Sequence, residues 1–451
     1  MAKGKKYEID MCNGPILKKL LIFTIPLICS SVLQLLFNAV DVIVVGKFAG
    51  DNSLAAVGAT TSLINLLVNL FVGLSIGANV LVARYYGAKQ KDELNDTVHT
   101  AIMIGIVGGV FLTVVGVAFA PVFLKWMATP KNILPLAISY LRIYFVGMVP
   151  MLVYNYGAAI LRAVGDTQRP LYYLFVAGII NVSLNLFFVI VLKWGVFGVG
   201  LATTISQVVS AVLVMLCLIK GTGAIKLVPK ELKINKDKML RIMQIGIPAG
   251  LQGVLFAISN VIIQSSINSF GEIVVAGNSA AANIEGFIYV AMNAFYQANI
   301  SFTSQNYGAG KKERINKILY CSLGCVTILG LVMGISCYFV GPHLLGIYTD
   351  NPAVIAEGMV RFSYIALPYV LCGIMEVIVG SMRGLGYVMA PMIISLMGAC
   401  VFRLIWIGTI FRIERFHTIE MLYIIYPISW VITIIADIIA FVIIRKKMNK
   451  K

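Results

Sequence analysis

Twelve long apolar stretches run through this chain, and they fix its class before any motif is read. They fall at about 16–40, 54–82, 96–119, 133–157, 171–192, 196–219, 239–265, 277–303, 317–340, 354–380, 391–411 and 419–444. Each is long enough to supply the ~20 residues that an α-helix needs to cross a hydrocarbon core. Only 12% of the 451 residues are charged, against about 25% in soluble domains. With a mean hydropathy of +0.91, the apolar residues cannot all hide in a globular core and must face lipid. The expected class is an all-α integral membrane protein with twelve transmembrane helices. Gly and Pro inside many of the stretches are compatible with this, because membrane helices tolerate them.

The net charge of +17 raises nucleic acid as a partner, but the basic residues sit in short clusters between apolar runs, so no nucleic acid is expected. An even number of helices puts both termini on one side. The termini and the even-numbered connections hold 27 of the 36 Lys and Arg, including Lys18, Lys19, Arg84, Lys89, Arg162, Lys311, Arg383 and Arg445. Positive charge concentrates on the cytoplasmic side, so both termini are expected there. The basic start followed by an apolar run of about 25 residues reads as a retained first helix, since a signal peptide has a shorter apolar core and a small-residue cleavage site.

The chain also repeats itself. Arg84-Tyr85-Tyr86-Gly87-Ala88-Lys89 aligns with Gln305-Asn306-Tyr307-Gly308-Ala309-Gly310, an offset of 221. At the same offset Leu161-Arg162-Ala163-Val164-Gly165 aligns with Met382-Arg383-Gly384-Leu385-Gly386, Pro121 with Pro342 and Pro170 with Pro391; Ile25-Pro26 aligns with Ile247-Pro248 one residue out of step. Such matches indicate two copies of one unit. The expected organisation is an N-terminal six-helix bundle over 1–225, a basic cytoplasmic linker over 226–238 and a C-terminal six-helix bundle over 239–451. Six helices per copy make the repeats parallel, an arrangement used by transporters that alternate their access.

Ionisable residues at membrane depth are costly and mark function by default. Asp41, Glu285, Glu376 and Asp437 lie within apolar runs. Asp41 reads either as a carboxylate that loads a proton or coordinates sodium, or as an acid at the interfacial end of the first helix. Glu285 and Glu376 read either as carboxylates that bind a cationic substrate or as members of internal ion pairs, for example with Arg361 or Arg403. Asp437, two turns from Arg445, is set aside as an equally plausible helix-end pair. Asn181 and Asn185 share a face of the fifth helix; they could complete a sodium shell, hydrogen-bond Asp41 or hold helices together. Gln34 lies two turns before Asp41. Asn260 and Gln264 read as helix–helix contacts. Pro26 and Pro248, at matching places in the first helix of each repeat, are candidate hinges or static kinks.

Several classes are disfavoured. The sequence contains no GxxxxGK[ST] phosphate loop and no soluble domain. Its three His residues fall near helix ends, and its eight Cys form neither a CxxC pair nor a Cys/His cluster with zinc spacing. An enzyme is not expected, nor a cofactor, nor a metal site apart from sodium near Asp41.

The chain resembles the multidrug and toxic compound extrusion family, the MATE transporters. The resemblance runs along the whole chain and rests on Ile25-Pro26, on Gln34 through Asp41 followed by Gly46, on Leu54-Ala55-Ala56-Val57-Gly58, on Tyr86-Gly87-Ala88, and on the two repeated motifs at Leu161–Gly165 and Met382–Gly386. The pattern is nearer the DinF-like and Firmicute multidrug branch than the NorM-like one. It implies a V-shaped pair of six-helix bundles around a central cleft, and cation-coupled export of organic cations across the bacterial cytoplasmic membrane by a monomer. It also implies that Asp41 takes part in cation coupling, that Asn181 helps position it, and that Glu285 and Glu376 are acids of the C-terminal lobe. Asn185 stands where many relatives have Asp, which leaves H+ or Na+ open as the coupling ion. The expected function is therefore a secondary antiporter that exports organic cations in exchange for H+ or Na+ by alternating access. The alternative is a flippase for a lipid-linked oligosaccharide or other amphiphile, to which the acidic residues and the count of twelve helices are less suited.

Overall fold

The computed structural model describes residues 7–449 apart from residue 222, so Lys3, Lys5, Lys6, Lys450 and Lys451 of the basic clusters lie outside the described residues. Among the described residues the chain is helical, without strands. Eleven helices are long and apolar enough to span a membrane: α1 (Ile16–Phe48), α2 (Asp51–Gly87), α3 (Lys91–Trp126), α5 (Gln168–Val191), α6 (Gly195–Lys220), α7 (Lys236–Asn268), α8 (Glu272–Gly308), α9 (Lys312–Gly346), α10 (Pro352–Gly384), α11 (Met389–Arg412) and α12 (Ile419–Met448). The remaining one, α4, consists of Leu134–Val146 and Met148–Ala163, which meet at a 44° bend. The twelve expected stretches correspond to these twelve elements. Most of the helices overrun the stretches because length is not limited by the hydrocarbon: the 37 residues of α2 extend about 55 Å at 1.5 Å per residue.

The repeat is visible in the backbone. α2 and α8 have the same length and the same offset of 221. Gly50 and Gly271, Lys89 and Gly310, and Gly165 and Gly386 are left-handed pairs at that offset, with φ between +57° and +96°. The break in α4 at Gly147 matches a tight 3-10 turn at Leu367–Tyr369 in α10. At Gly165 the requirement is also steric, since a Cβ there would meet the Ile9 carbonyl oxygen at 2.5 Å.

Two compact units result, and they divide elsewhere than the expected boundaries at 225 and 239. The first contains Met1–Cys12 and Ile25–Gly250, the second Asn13–Thr24 and Leu251–Lys451. Helix α1 therefore passes from the second unit to the first beside Pro26, and α7 passes from the first to the second beside Pro248. The reason lies in packing. In the first unit, Gly73 and Gly77 of α2 meet the backbone of α7 so closely that a Cβ on Gly73 would lie 2.3 Å from the Gly250 Cα, and one on Gly77 2.3 Å from the Ile242 carbonyl oxygen. In the second unit, Phe23 of α1 packs edge-on against Phe302 of α8 at 5.5 Å.

The linker belongs to the first unit as well. The His99 side chain is buried; its Nε2 accepts the Val228 N–H at 3.1 Å, which leaves Nδ1 to donate to the Asn95 carbonyl at 2.8 Å. The Asn235 N–H and side chain bond to Thr100 and Asp96, and buried Lys238 pairs with Glu93 and bonds the Tyr85 hydroxyl. Elsewhere the helices sort their residues as a bilayer demands. α3 buries Gly105, Gly108, Gly109 and Gly116 and leaves Val107, Phe111, Val114 and Phe119 exposed, so these four large apolar side chains face lipid rather than a core.

Candidate functional site

In the first unit the polar residues converge on Asp41, in the last third of α1. Asp41 is half-buried. Asn185 of α5, fully buried, donates from Nδ2 to Asp41 Oδ1 and lies 3.3 Å from Asn181 Oδ1. Asn181 Nδ2 donates to the Thr203 hydroxyl of α6 at 3.4 Å. That hydroxyl lies 3.5 Å from Asp41 Oδ2 and donates to the Val199 carbonyl at 3.0 Å. The i,i+4 spacing of Asn181 and Asn185 brings both amides to one face, and the tight packing of α5 on α6 adds the threonine. Tyr140 and Tyr144, on the first piece of α4, lie within electrostatic reach of Asp41. No Lys, Arg or His pairs with Asp41 among the described residues. The carboxylate is thus held by neutral groups. The Asn185 Oδ1 oxygen is buried without a hydrogen-bond partner, so the site presents carboxylate, amide and hydroxyl oxygens, the donor set that suits a proton or a hard monovalent cation.

The second unit contains a different arrangement. Glu285 of α8 accepts three hydrogen bonds from Arg361 of α10, from Nη2 at 2.7 Å and from Nε at 3.2 Å to each oxygen. Arg361 also donates to Asn278 Oδ1 at 2.6 Å and lies over the Tyr423 ring, whose hydroxyl donates to the same Asn278 oxygen. Both members of the pair are buried. Glu376, on α10, is half-buried and takes part in no hydrogen bond or ion pair among the described residues; Tyr289, an exposed aromatic of α8, lies within its electrostatic reach. Asp437, on α12, is 0% exposed, and neither of its oxygens has a hydrogen-bond partner among the described residues.

Comparison with known proteins settles the family. The model of the family described as MatE matches twice, over residues 26–187 and 248–407, once per repeat. The chain belongs to the MatE family. It is 26% identical to the probable multidrug resistance protein YoeA of Bacillus subtilis, over 92% of this chain and 91% of that one. It is 25% identical to YpnP, a second probable multidrug resistance protein of Bacillus subtilis, over 87% of this chain and 88% of that one. A multidrug resistance MATE transporter solved in an outward-facing conformation superposes with a TM-score of 0.91 at 21% identity, with both chains covered in full. The chain therefore has the fold of a MATE transporter and is a multi-pass membrane protein.

Placed in this fold, the expected site residues separate. Asp41, Asn181 and Asn185 come together. Gln34 is exposed and joins the group by no hydrogen bond among the described residues. Glu285 adopts the internal ion pair that was the alternative reading of it, with Arg361 rather than Arg403, and so does not present an unpaired carboxylate. Arg403 instead donates to Ser429 at 3.0 Å and lies over the Tyr426 ring at 4.2 Å. Gln264 bonds Asn268 and Asn278, a contact between helices as expected. Thr203 was missed because a single threonine in an apolar helix carries no signal of its own; only its proximity to Asn181 marks it. Asp437 was set aside for a pairing with Arg445 that does not form: Arg445 donates to Asn316 Oδ1 and to the Lys312 carbonyl.

Proposed function

We propose that this MatE-family protein is a secondary antiporter that exports organic cations in exchange for H+ or Na+ by alternating access. It would act as a monomer in a bacterial cytoplasmic membrane, with both termini in the cytoplasm. The observation that carries the reading is the environment of Asp41, a carboxylate in an apolar helix surrounded by neutral hydrogen-bonding groups and, among the described residues, by no countercharge. Such a group is expensive to keep in a membrane unless an ion or proton comes and goes. The multidrug resistance proteins named above support the substrate class.

In this reading the coupling ion binds at Asp41 among Asn185, Asn181 and Thr203. The substrate cation binds in the second unit at Glu376, with the face of Tyr289 adding a cation–π attraction. The Glu285–Arg361 pair is neutral as a unit and serves to hold α8 to α10. Bending occurs where α1 and α7 pass between units, at Pro26 and Pro248, because proline removes a hydrogen bond from the helix ladder there.

The test is movement of ethidium in proteoliposomes under a pH gradient and under a sodium gradient imposed separately. Movement driven by one gradient and reduced to the protein-free level in Asp41→Asn is expected. Undiminished transport by Asp41→Asn would remove Asp41 from the mechanism. No movement of dye under either gradient, with the protein intact, would favour a lipid-linked amphiphile as substrate.

A further inference from the structure

The two copies of the repeat treat their basic ends differently. In the first unit α3 begins Lys91-Asp92-Glu93-Leu94-Asn95-Asp96, and Glu93 and Asp96 pair with Lys238 and Lys233 of the linker. Asp237 supplies a partner for Arg241, and Asp166 one for Arg169. At the offset of 221, α9 of the second unit begins Lys312-Glu313-Arg314-Ile315-Asn316-Lys317. Arg314 stands in the place of Glu93 and Lys317 in the place of Asp96. The two acids that neutralise the first rim are therefore cations in the second.

Helix α12 adds charge of the same sign. Arg445 crosses to α9, where Nε donates to Asn316 Oδ1 at 3.0 Å and Nη2 to the Lys312 carbonyl at 2.8 Å. Lys312 in turn donates from Nζ to the carbonyl of Met448, the last residue of α12, at 2.9 Å. These bonds close one seam with two cationic side chains and cancel neither charge. Arg445 is 9% exposed, and its Nη1 is buried without an acceptor. Lys317, next to Asn316, and Lys446 and Lys447, next to Arg445, are exposed. Among the described residues none of these six cations, Arg314 included, takes part in an ion pair, and Glu313 is the only acid on those turns. A buried guanidinium without a countercharge is costly, so an anion from outside the chain completes the seam.

The neighbours indicate which anion. α12 exposes Ile435, Ile439, Val442 and Ile443, and by helical spacing Lys446 and Lys447 continue that face. On α9, Tyr320 is 68% exposed and lies three residues after Lys317. In a membrane such apolar faces meet acyl chains, and the basic and aromatic residues at their ends lie at headgroup depth. The cations stand where a lipid carries its phosphate.

We propose that the adjoining ends of α9 and α12 in the second unit form a binding site for the phosphate of an anionic phospholipid. Lys317, Lys446 and Lys447 reach the phosphate, and Arg445, fixed by Asn316 and the Lys312 carbonyl, supplies a standing charge behind them. A zwitterionic lipid offers the same phosphate but carries its own cation, so the site discriminates on net charge. The bound lipid stabilises the seam between α9 and α12 and fixes the depth of the second unit in the bilayer. The site is separate from Asp41 and from Glu376 and stands whatever species is transported. With both termini in the cytoplasm, as proposed above, the lipid belongs to the cytoplasmic leaflet.

The experiment equilibrates the purified full-length chain in detergent with an equimolar mixture of phosphatidylglycerol and phosphatidylcholine and weighs the bound lipids by native mass spectrometry. Wild type is expected to retain phosphatidylglycerol in preference, less so as salt rises. Lys446→Gln/Lys447→Gln, on an exposed face, is expected to fold normally and to lose about thirtyfold of that preference. Arg445→Gln is expected to lose about fivefold or more, and Arg445→Lys, which keeps the charge, to retain most of it. Lys230→Gln/Lys233→Gln removes the same charge from the linker of the first unit and is expected to change the preference by less than about twofold. Equal retention of the two lipids by wild type, or an unchanged preference in Lys446→Gln/Lys447→Gln, overturns the proposal. So does an equal loss in Lys230→Gln/Lys233→Gln, which would make the preference a property of total charge. Displacement of the lipid by millimolar inorganic phosphate, but not by chloride at the same ionic strength, would assign the site to a soluble phosphate and overturn the lipid. Should Arg445→Gln fail to fold, the double lysine variants decide.

Discussion

Asp41 in the first unit and Glu285 in the second are both carboxylates set in long apolar helices, yet they solve the cost of burial in opposite ways. Glu285 is matched by Arg361 with three hydrogen bonds and a further anchor at Asn278, so the pair is neutral and closed. Asp41 receives a primary amide and lies near one hydroxyl, and its charge stays unmatched. The difference teaches that depth in the membrane does not by itself mark a transport site. In the reading proposed above, the coupling site differs in that the protein has not already supplied the countercharge. An acid with a built-in cation fastens helices together, whereas an acid with only neutral neighbours has room for an ion that arrives and departs.

The comparison can be broken most severely at Glu285. Glu285→Gln leaves Arg361 buried without a counterion, for which a loss of about 3–5 kcal/mol is expected, read as a large drop in the thermal midpoint of purified protein. Replacing both residues in Glu285→Gln/Arg361→Gln should recover more than half of that loss. A single variant as stable as wild type would show that the pair is not the fastening described. At Asp41 the expected pattern is reversed, with function sensitive and stability not. Asn185→Ala removes a hydrogen bond to a charged group, a contribution of about 1.5–3 kcal/mol, so the coupling-ion concentration at half-maximal transport should move by about tenfold to a hundredfold. The midpoint of unfolding should change little, and a stability loss as large as that of Glu285→Gln would erase the distinction. The smallest effect is expected from Thr203→Val, which keeps the shape of the side chain. Its hydroxyl lies at the outer limit of hydrogen-bond distance from Asp41, so a shift below about threefold in the same assay is expected; a shift as large as that of Asn185→Ala would make the hydroxyl an equal partner in the site.

Much of this was legible in the sequence, for reasons that differ by residue. The spans were, because twenty apolar residues in a row have few alternatives in water. The repeat was, because motifs such as Leu161–Gly165 and Met382–Gly386 encode backbone shape, including the left-handed Gly165 and Gly386. The group at Asp41 was half legible: Asn181 and Asn185 announce themselves by helical spacing, whereas Thr203 enters only through packing. The partner of Glu285 was not, since Arg361 and Arg403 are equivalent on paper and only the facing of α8 on α10 chooses between them. The helix-end pair weighed for Asp437 does not form, because closeness along one helix does not fix contact and Arg445 reaches across to α9. The boundary between units was hidden for a similar reason. A polar, Lys-rich linker invites a cut there, but the linker is bound to the first unit through His99, Thr100 and Asp96, and the glycines of α2 draw the start of α7 in with it.

That exchange of leading segments bears on how the chain can be divided. Severed at the linker, the N-terminal fragment would keep Asn13–Thr24 but not the helices it packs with, and the C-terminal fragment would keep Lys236–Gly250 but not the α2 backbone that receives it. Each fragment lacks what completes the other. Two separately synthesised halves could regain the fold only by trading these half-helices, as partners in a swapped dimer do, and a single copy of the repeat could complete itself only by pairing with its twin.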